Sequence, residues 1–186
     1  MNDIANAFAK YPRHLFLPPE QVELSRLDAP LSIGYGQTNS QPSTVRSMLE
    51  WLEVEPGHTV LDVGSGSGWT TALLSCLTGP KGRVYAVEKV PELMHFGQTN
   101  CLSAGVKNAR FYVSKDQLGL KKYAKYDRIL VSASAPELPK QLLDQLKNGG
   151  KMVIPVKNAI LEITKNSNDE TETINHSGYM FVPLLY

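Results

Sequence analysis

A strand that runs straight into three alternate glycines and then into a helix constrains this chain more than any other stretch. It reads Val60-Leu-Asp-Val-Gly-Ser-Gly-Ser-Gly-Trp69, and the helix is predicted over Thr70 to Leu77. Gly64, Gly66 and Gly68 let the backbone turn tightly and approach a ligand where a Cβ would obstruct it. The helix start behind them offers unpaired N–H groups and a partial positive charge. Roughly 20 residues further on, the spacing expected of a ribose-holding acid, a second strand, Arg83-Val-Tyr-Ala-Val87, ends in Glu88. An acidic side chain there can accept hydrogen bonds from both hydroxyls of a ribose. Together these features predict a pocket for a nucleoside-bearing cofactor.

The glycine spacing discriminates among such cofactors. A dinucleotide fingerprint runs G-x-G-x-x-G; here it is G-x-G-x-G, with Asp62 inside the strand just before it. That form resembles motif I of S-adenosylmethionine methyltransferases, whose cofactor has no pyrophosphate to cradle.

The rest of the chain alternates strand and helix. A helix is predicted from Pro91 to about Ala104, then strands Ala109 to Val113 and Tyr126 to Val131. A helix near Glu137 to Leu146, a turn at Asn148-Gly-Gly150 and a strand Lys151 to Pro155 follow. Such alternation implies a parallel sheet covered on both faces. The rhythm breaks at the end. Ile160 to Ile163 and Tyr179 to Val182 read as strands joined by the polar stretch Asn166 to Thr173, which is the best candidate for a mobile loop. The expected fold class is therefore α/β: a doubly wound, mostly parallel sheet with an antiparallel C-terminal strand pair. At 186 residues the chain is read as a single domain, 1–186, with N-terminal helices and a substrate loop over 1–55 and a cofactor-binding core over 56–186.

Charge and composition narrow the partners. A net charge of +1 and the lack of any basic run give no reason to expect nucleic acid. No apolar stretch approaches the length of a membrane span, and the N-terminus lacks the layout of a signal peptide. Cys76 and Cys101 read as buried free thiols, which suits a reducing cytoplasm. His14, His58, His95 and His176 lack metal-ligand spacing, so no metal is expected. Trp51 and Trp69 read as core, Lys121, Lys122 and Lys125 as a solvated edge, and Asp127 as open between pairing with a loop N–H and acting chemically.

One segment before the sheet resists a purely structural reading. Asp28-Ala-Pro-Leu-Ser-Ile-Gly-Tyr-Gly-Gln-Thr-Asn-Ser-Gln-Pro42 is long, irregular and rich in small polar residues, and an amphipathic helix follows over about Ser43 to Glu53. Long irregular loops in compact domains are usually functional. Ser40 can cap that helix. Alternatively Thr38, Asn39 and Ser40 can present hydroxyls and N–H groups to a substrate carboxylate. The residues alone favour the cap.

Taken together the chain resembles the protein-L-isoaspartate O-methyltransferase family over almost its whole length. Tyr11-Pro-Arg-His-Leu-Phe16 is similar to the family's Pro-Arg-x-x-Phe segment. Asp28 to Pro42 resembles its signature loop, D-x-P-L-x-I-G-x-G-Q-T-I-S-Q-P, and Leu61 to Gly68 its motif I. Val131-Ser-Ala-Ser-Ala135 resembles the small-residue run after its fourth strand, and Gln145 to Gly150, Pro155-Val156 and Phe181 to Leu184 fit the remainder. The resemblance implies methyl transfer from S-adenosylmethionine to the free carboxylate of L-isoaspartyl residues in damaged peptides and proteins, leaving S-adenosylhomocysteine. It implies Ser40 as the active-site serine, with Thr38, Asn39, Ser132 and Ala133 toward the substrate. Gly64, Ser65, Gly66, Gly68 and Glu88 would hold the cofactor. It further implies a monomer, open to a flexible peptide. Three departures stand out. Asn39 replaces the family's isoleucine. Lys115 falls where an aspartate touches the adenine edge, leaving Asp116, one residue on, as the candidate for that contact. Lys157 to Ile160 is a shortened form of a Gly-x-x-x-Gln element. These leave open a relative acting on another carboxylate or small molecule, or one that binds an adenosyl ligand or a peptide without turnover.

Overall fold

The computed structural model describes residues 3–115, 117–168 and 170–185. A short helix α1 (Asp3–Lys10) and two 3-10 turns lead into a hairpin of β1 (Leu31–Gly34) and β2 (Gln37–Asn39), then helix α2 (Pro42–Leu52). Strand β3 (Thr59–Val63), helix α3 (Trp69–Thr78), strand β4 (Arg83–Glu88), helix α4 (Pro91–Ser103) and strand β5 (Ala109–Val113) form the first wound half. Strand β6 (Tyr126–Val131), the single turn α5 (Lys140–Leu143) and strands β7 (Leu146–Val156), β8 (Ala159–Lys165) and β9 (Thr171–Ser177) complete the chain.

The seven-stranded sheet has the order β5-β4-β3-β6-β7-β8-β9. Its first five strands are parallel neighbours, whereas β8 and β9 run antiparallel. Side chains alternate faces along a strand, and the burial follows. Val60, Val84, Leu130 and Val153 join one core with α2 and α3. Leu61, Tyr85, Ile129 and Met152 join the other. The strand order reverses between β3 and β6, so a crevice opens beyond their carboxyl ends, where ligands of such sheets bind.

Several predicted elements moved. The expected helix over Glu137–Leu146 is only one turn, because Leu146 already pairs with Tyr126. The expected turn at Asn148–Gly150 is a bulge inside β7, where the register passes from Tyr126↔Leu146 to Arg128↔Lys151. The last strand is Thr171–Ser177 rather than Tyr179–Val182. It is an edge strand exposed along nearly its whole length, so it carries no apolar alternation, and backbone pairing with β8 holds it. The polar connector thus shrinks to Asn166–Glu170, gathered by the Asn166 carboxamide oxygen, which accepts from the N–H groups of Asn168 and Glu170. At the opposite end of β9, His176 stacks on Trp51 of α2, ring centroids 3.7 Å apart. Asp127 accepts from Thr59 N–H and Lys147, which answers its open reading in favour of pairing.

Trp69 is buried in the core and Lys121, Lys122 and Lys125 are exposed. Cys101 is buried but Cys76 only half so. Among the described residues no helix is long and apolar enough to cross a membrane. Among the same residues no group of three or more His, Cys, Asp or Glu is placed to hold a metal.

Candidate active site

The bend after β3 is shaped by main chains in close approach. Gly68 has φ +85°, and a Cβ there would stand 2.6 Å from the Gly97 carbonyl oxygen. Gly97 lies inside α4, and its own Cβ would stand 2.6 Å from the Gly66 oxygen. Helix and bend therefore touch backbone to backbone, and Asn100 of α4 donates to Ser67 O at 3.0 Å. A glycine inside a helical pattern signals such packing, but the sequence reading had not singled out Gly97.

Glu88 closes the bend from the next strand. Its Oε2 accepts Gly66 N–H at 2.9 Å, and its Oε1 accepts Lys89 and Val90 N–H at 2.7 and 3.0 Å. A carboxylate has about four lone-pair positions, so acceptor capacity remains on a group that lines the cleft. Beneath it, Asp62 is wholly buried. Its Oδ2 accepts from the hydroxyls of Thr70 and Thr71, while Oδ1 has no partner. Burial pushes its carboxyl up to about 6, the two threonine bonds pulling against that and the nearby Glu88 charge adding to it. Ser65 Oγ is likewise buried without a partner. Gly64, Gly66, Glu88, Ser114, Leu118 and Ser132 line the cleft, and Val182–Leu185 of the C-terminal segment close its far side. It is narrow, with about 40 Å³ open to water.

The segment predicted as an irregular loop is a hairpin, with Leu31↔Asn39 and Ser32↔Thr38 paired. Leu31 and Ile33 bury one face of it against Leu17 and Leu93. Helix α2 begins behind it without help from Ser40. Gln41 is the N-cap and makes no side-chain capping bond. Asp28 instead reaches across, its Oδ1 accepting Ser43 N–H at 2.8 Å. That bond, with one from Gln41, holds the Asp28 carboxyl below the usual range. The capping reading of Ser40 is therefore corrected: the cap is a residue distant in sequence.

Arg13 latches the hairpin from below. Its Nε donates to Asn39 Oδ1 at 2.7 Å, its Nη1 to Leu27 O, and its Nη2 to the oxygens of Ala29, Asn39 and Ser40. Burial lowers its guanidinium to about 10, with Asp28 opposing, so it is charged at neutral pH. Asn39 is 5 % exposed and uses both ends of its carboxamide, giving Nδ2 to Ser67 Oγ at 2.9 Å. Ser40 is half-buried, and its hydroxyl has no protein partner among the described residues. It lines a groove of about 1060 Å³ with Thr38, Ser47, Ser132 and the segment Ser177–Val182. The missed strand and the displaced one thus meet here, since the residues expected to form a strand at Tyr179–Val182 form the groove wall.

Thr38, Ser132 and Val182 line both this groove and the glycine-bend cleft, so the two spaces meet at these three residues. Ala133 stands beside the cleft, 3.9 Å from where a Gly64 Cβ would lie. Asp116 lies outside the described residues. Lys115 is exposed and its carbonyl accepts from Lys89 Nζ at 2.7 Å. Besides Gly97, nothing local marks Asn100, and the segments that carry Arg13 and Val182–Leu184 were matched to the family without their roles in the site.

The family profile described as protein-L-isoaspartate(D-aspartate) O-methyltransferase (PCMT) matches residues 1–186. The chain belongs to this family. It is 42% identical over 187 residues to the protein-L-isoaspartate O-methyltransferase of Pyrococcus horikoshii, covering 98% of this chain and 84% of that one. It is 43% identical over 189 residues to that of Methanopyrus kandleri, covering 99% and 84%. Among solved structures, a Plasmodium falciparum PCMT crystallised with S-adenosyl-L-homocysteine superposes with TM-score 0.86 at 26% identity, covering 100% of this chain and 91% of that one. A PCMT is expected to hold S-adenosylmethionine, and the residues here fit it. The bend would admit its close approach, Glu88 keeps an acceptor position for a ribose hydroxyl, and the unpartnered Asp62 Oδ1 and Ser65 Oγ suit a cationic ammonium or its water.

Proposed function

We propose that this chain transfers the methyl group of S-adenosylmethionine to the free carboxylate of L-isoaspartyl residues in damaged peptides and proteins, with the Ser40 hydroxyl positioning that carboxylate. The cofactor supplies a methyl group already activated on a sulfonium. The protein's task is placement. An isoaspartyl carboxylate is anionic at neutral pH, so no general base is needed. The nearby groups fit that economy, being hydroxyls and main-chain donors rather than a histidine. Holding the reactants in line and dry can contribute up to roughly 7–11 kcal/mol. Ser40 has to donate to the carboxylate without holding it so firmly that the ground state is favoured over the transition state.

The observation that carries the reading is that Ser40 offers an unengaged hydroxyl in the groove while Asp28 performs the capping. Thr38 and Ser132 flank the same point, which supports a substrate role for them, and Gly64, Ser65, Gly66 and Glu88 gather around the opposite cleft, while Gly68 packs on Gly97 behind it. The groove is open to one side, which suits a flexible peptide, and the cytoplasm is the compartment that suits its free thiols.

The test compares labelled S-adenosylmethionine transfer to an isoaspartyl peptide and to its aspartyl twin. Base-labile label is expected on the isoaspartyl peptide alone. Ser40→Ala is expected to lower turnover about 100-fold, the scale of losing one well-placed donor, with S-adenosylhomocysteine affinity nearly unchanged. Equal labelling of both peptides, or wild-type turnover in Ser40→Ala, sinks the proposal.

A further inference from the structure

Asn39 supplies the only side-chain hydrogen bond between the hairpin and the glycine bend among the described residues, Nδ2 to Ser67 Oγ at 2.9 Å. The orientation of its carboxamide is not free. A guanidinium only donates, so Arg13 Nε at 2.7 Å requires the oxygen to face it and turns the NH2 group to Ser67. Both ends of this bridge are anchored. Arg13 Nη2 also holds the main-chain oxygen of Ser40, at 2.9 Å. Ser67 follows Gly66, whose N–H is bound by Glu88, and Ser67 O is held by Asn100. Hydrogen bonds thus run from the backbone of Ser40 through Arg13 and Asn39 to the Ser67 hydroxyl, and Ser67 is joined along the chain to Gly66, whose N–H is held by the acid at the end of β4. With its polar atoms so engaged and 5 % of its surface exposed, Asn39 has little to offer a peptide directly.

We propose that Asn39 is a positioning residue for methyl transfer, setting the spacing between the Ser40 hydroxyl and the glycine bend through Arg13 and Ser67. The inference rests on the reading of Ser40 and the bend given above. In-line transfer depends steeply on distance, and a misplacement of about 1 Å can cost about 100-fold. A side chain that spans the two walls controls that distance without touching either reactant.

The test uses Ser67→Ala, which removes only the hydroxyl, and Asn39→Leu, which removes both bonds at similar volume. Each is expected to lower kcat about tenfold or more, with KM for S-adenosylmethionine and for the isoaspartyl peptide within about twofold, a split marking loss confined to the transition state. S-adenosylhomocysteine affinity by calorimetry should likewise be kept within about twofold, and the double variant should be no slower than the worse single, since both break one bridge. Asn39→Asp should recover much of the rate, because a carboxylate still accepts from Arg13 and the Ser67 hydroxyl can turn to donate to it. If Asn39→Leu fails to fold, Ser67→Ala decides alone. Wild-type kcat in Ser67→Ala beside a slow Ser40→Ala overturns the bridge and spares the site reading. A rise in peptide KM alone in Asn39→Leu also overturns it, by making Asn39 a direct substrate contact. Wild-type turnover in Ser40→Ala withdraws the site reading and the bridge with it.

Discussion

The glycine bend and the substrate hairpin face each other across one cleft, yet different physics holds them in place. The bend is set by main chains that come within van der Waals contact, Gly66 and Gly68 against Gly97, beside a wholly buried carboxyl. The hairpin is set by reach: the Arg13 guanidinium gathers four backbone oxygens, and the Asp28 carboxylate caps a helix fifteen positions on. The first arrangement has no slack. The second rests on two side chains and their hydrogen bonds.

The strongest way to break that contrast is Gly97→Ala. Its methyl would meet the Gly66 oxygen at 2.6 Å and Gly68 N at 3.0 Å, both backbone atoms, so α4 has to move. A loss of about 3 kcal/mol is expected, the upper range for forced overpacking, together with loss of S-adenosylhomocysteine binding. Denaturant titration and calorimetry measure both, and retained binding would show that the bend has slack after all.

Arg13→Lys tests the opposite side. Lysine keeps the charge but not the fork, and its three donors cannot serve the five acceptors that Arg13 reaches. A loss of about 2–3 kcal/mol is expected for buried acceptors left unpaired. Isoaspartyl methylation should fall while S-adenosylhomocysteine still binds. Parallel loss of both activities would erase the distinction between the two walls.

The smallest effect sharpens the bend's electrostatics. Burial pushes the Asp62 carboxyl up to about 6, well above the usual carboxylate range. The folded state therefore binds the proton more tightly, and its cost to stability is full above about pH 6 and relieved as pH falls toward 4. In ligand-free protein, Asp62→Asn should be the more stable form at pH 7. Its advantage should shrink by on the order of 2 kcal/mol between pH 7 and pH 4. A constant difference across that range would mean that Asp62 is not carrying its charge at a cost.

Legibility followed the same divide. The strand Ala109–Val113 and the strand Tyr126–Val131 carry the predicted bounds, and the helices after the bend and after Glu88 are displaced by about a residue. In β6 the run Ile129–Val131 is wholly buried and apolar, whereas β5 lies at the sheet edge, only partly buried, and was legible from its aromatic and β-branched residues. Strand Thr171–Ser177 is bare on its outer edge and was hidden in a polar stretch, while the apolar Tyr179–Val182 misled because it lines a groove instead of pairing. Ser40 was legible as a residue of interest from the signature loop. Its freedom from capping was not, because the residue that replaces it lies twelve positions upstream.

Local chemistry along the chain was sufficient to specify the α/β alternation, the sharp bend after Val63 and the acid that ends the next strand, since each depends on neighbours a few residues apart. The folded chain alone could settle which side chains are spoken for: that Asp28 frees Ser40, that Arg13 and Ser67 occupy Asn39, and that Gly97 lets a helix touch the bend. Each of those outcomes is a contact between segments remote in sequence. Hydrogen-bond partners and steric room at such contacts are properties of relative position, which no local pattern encodes.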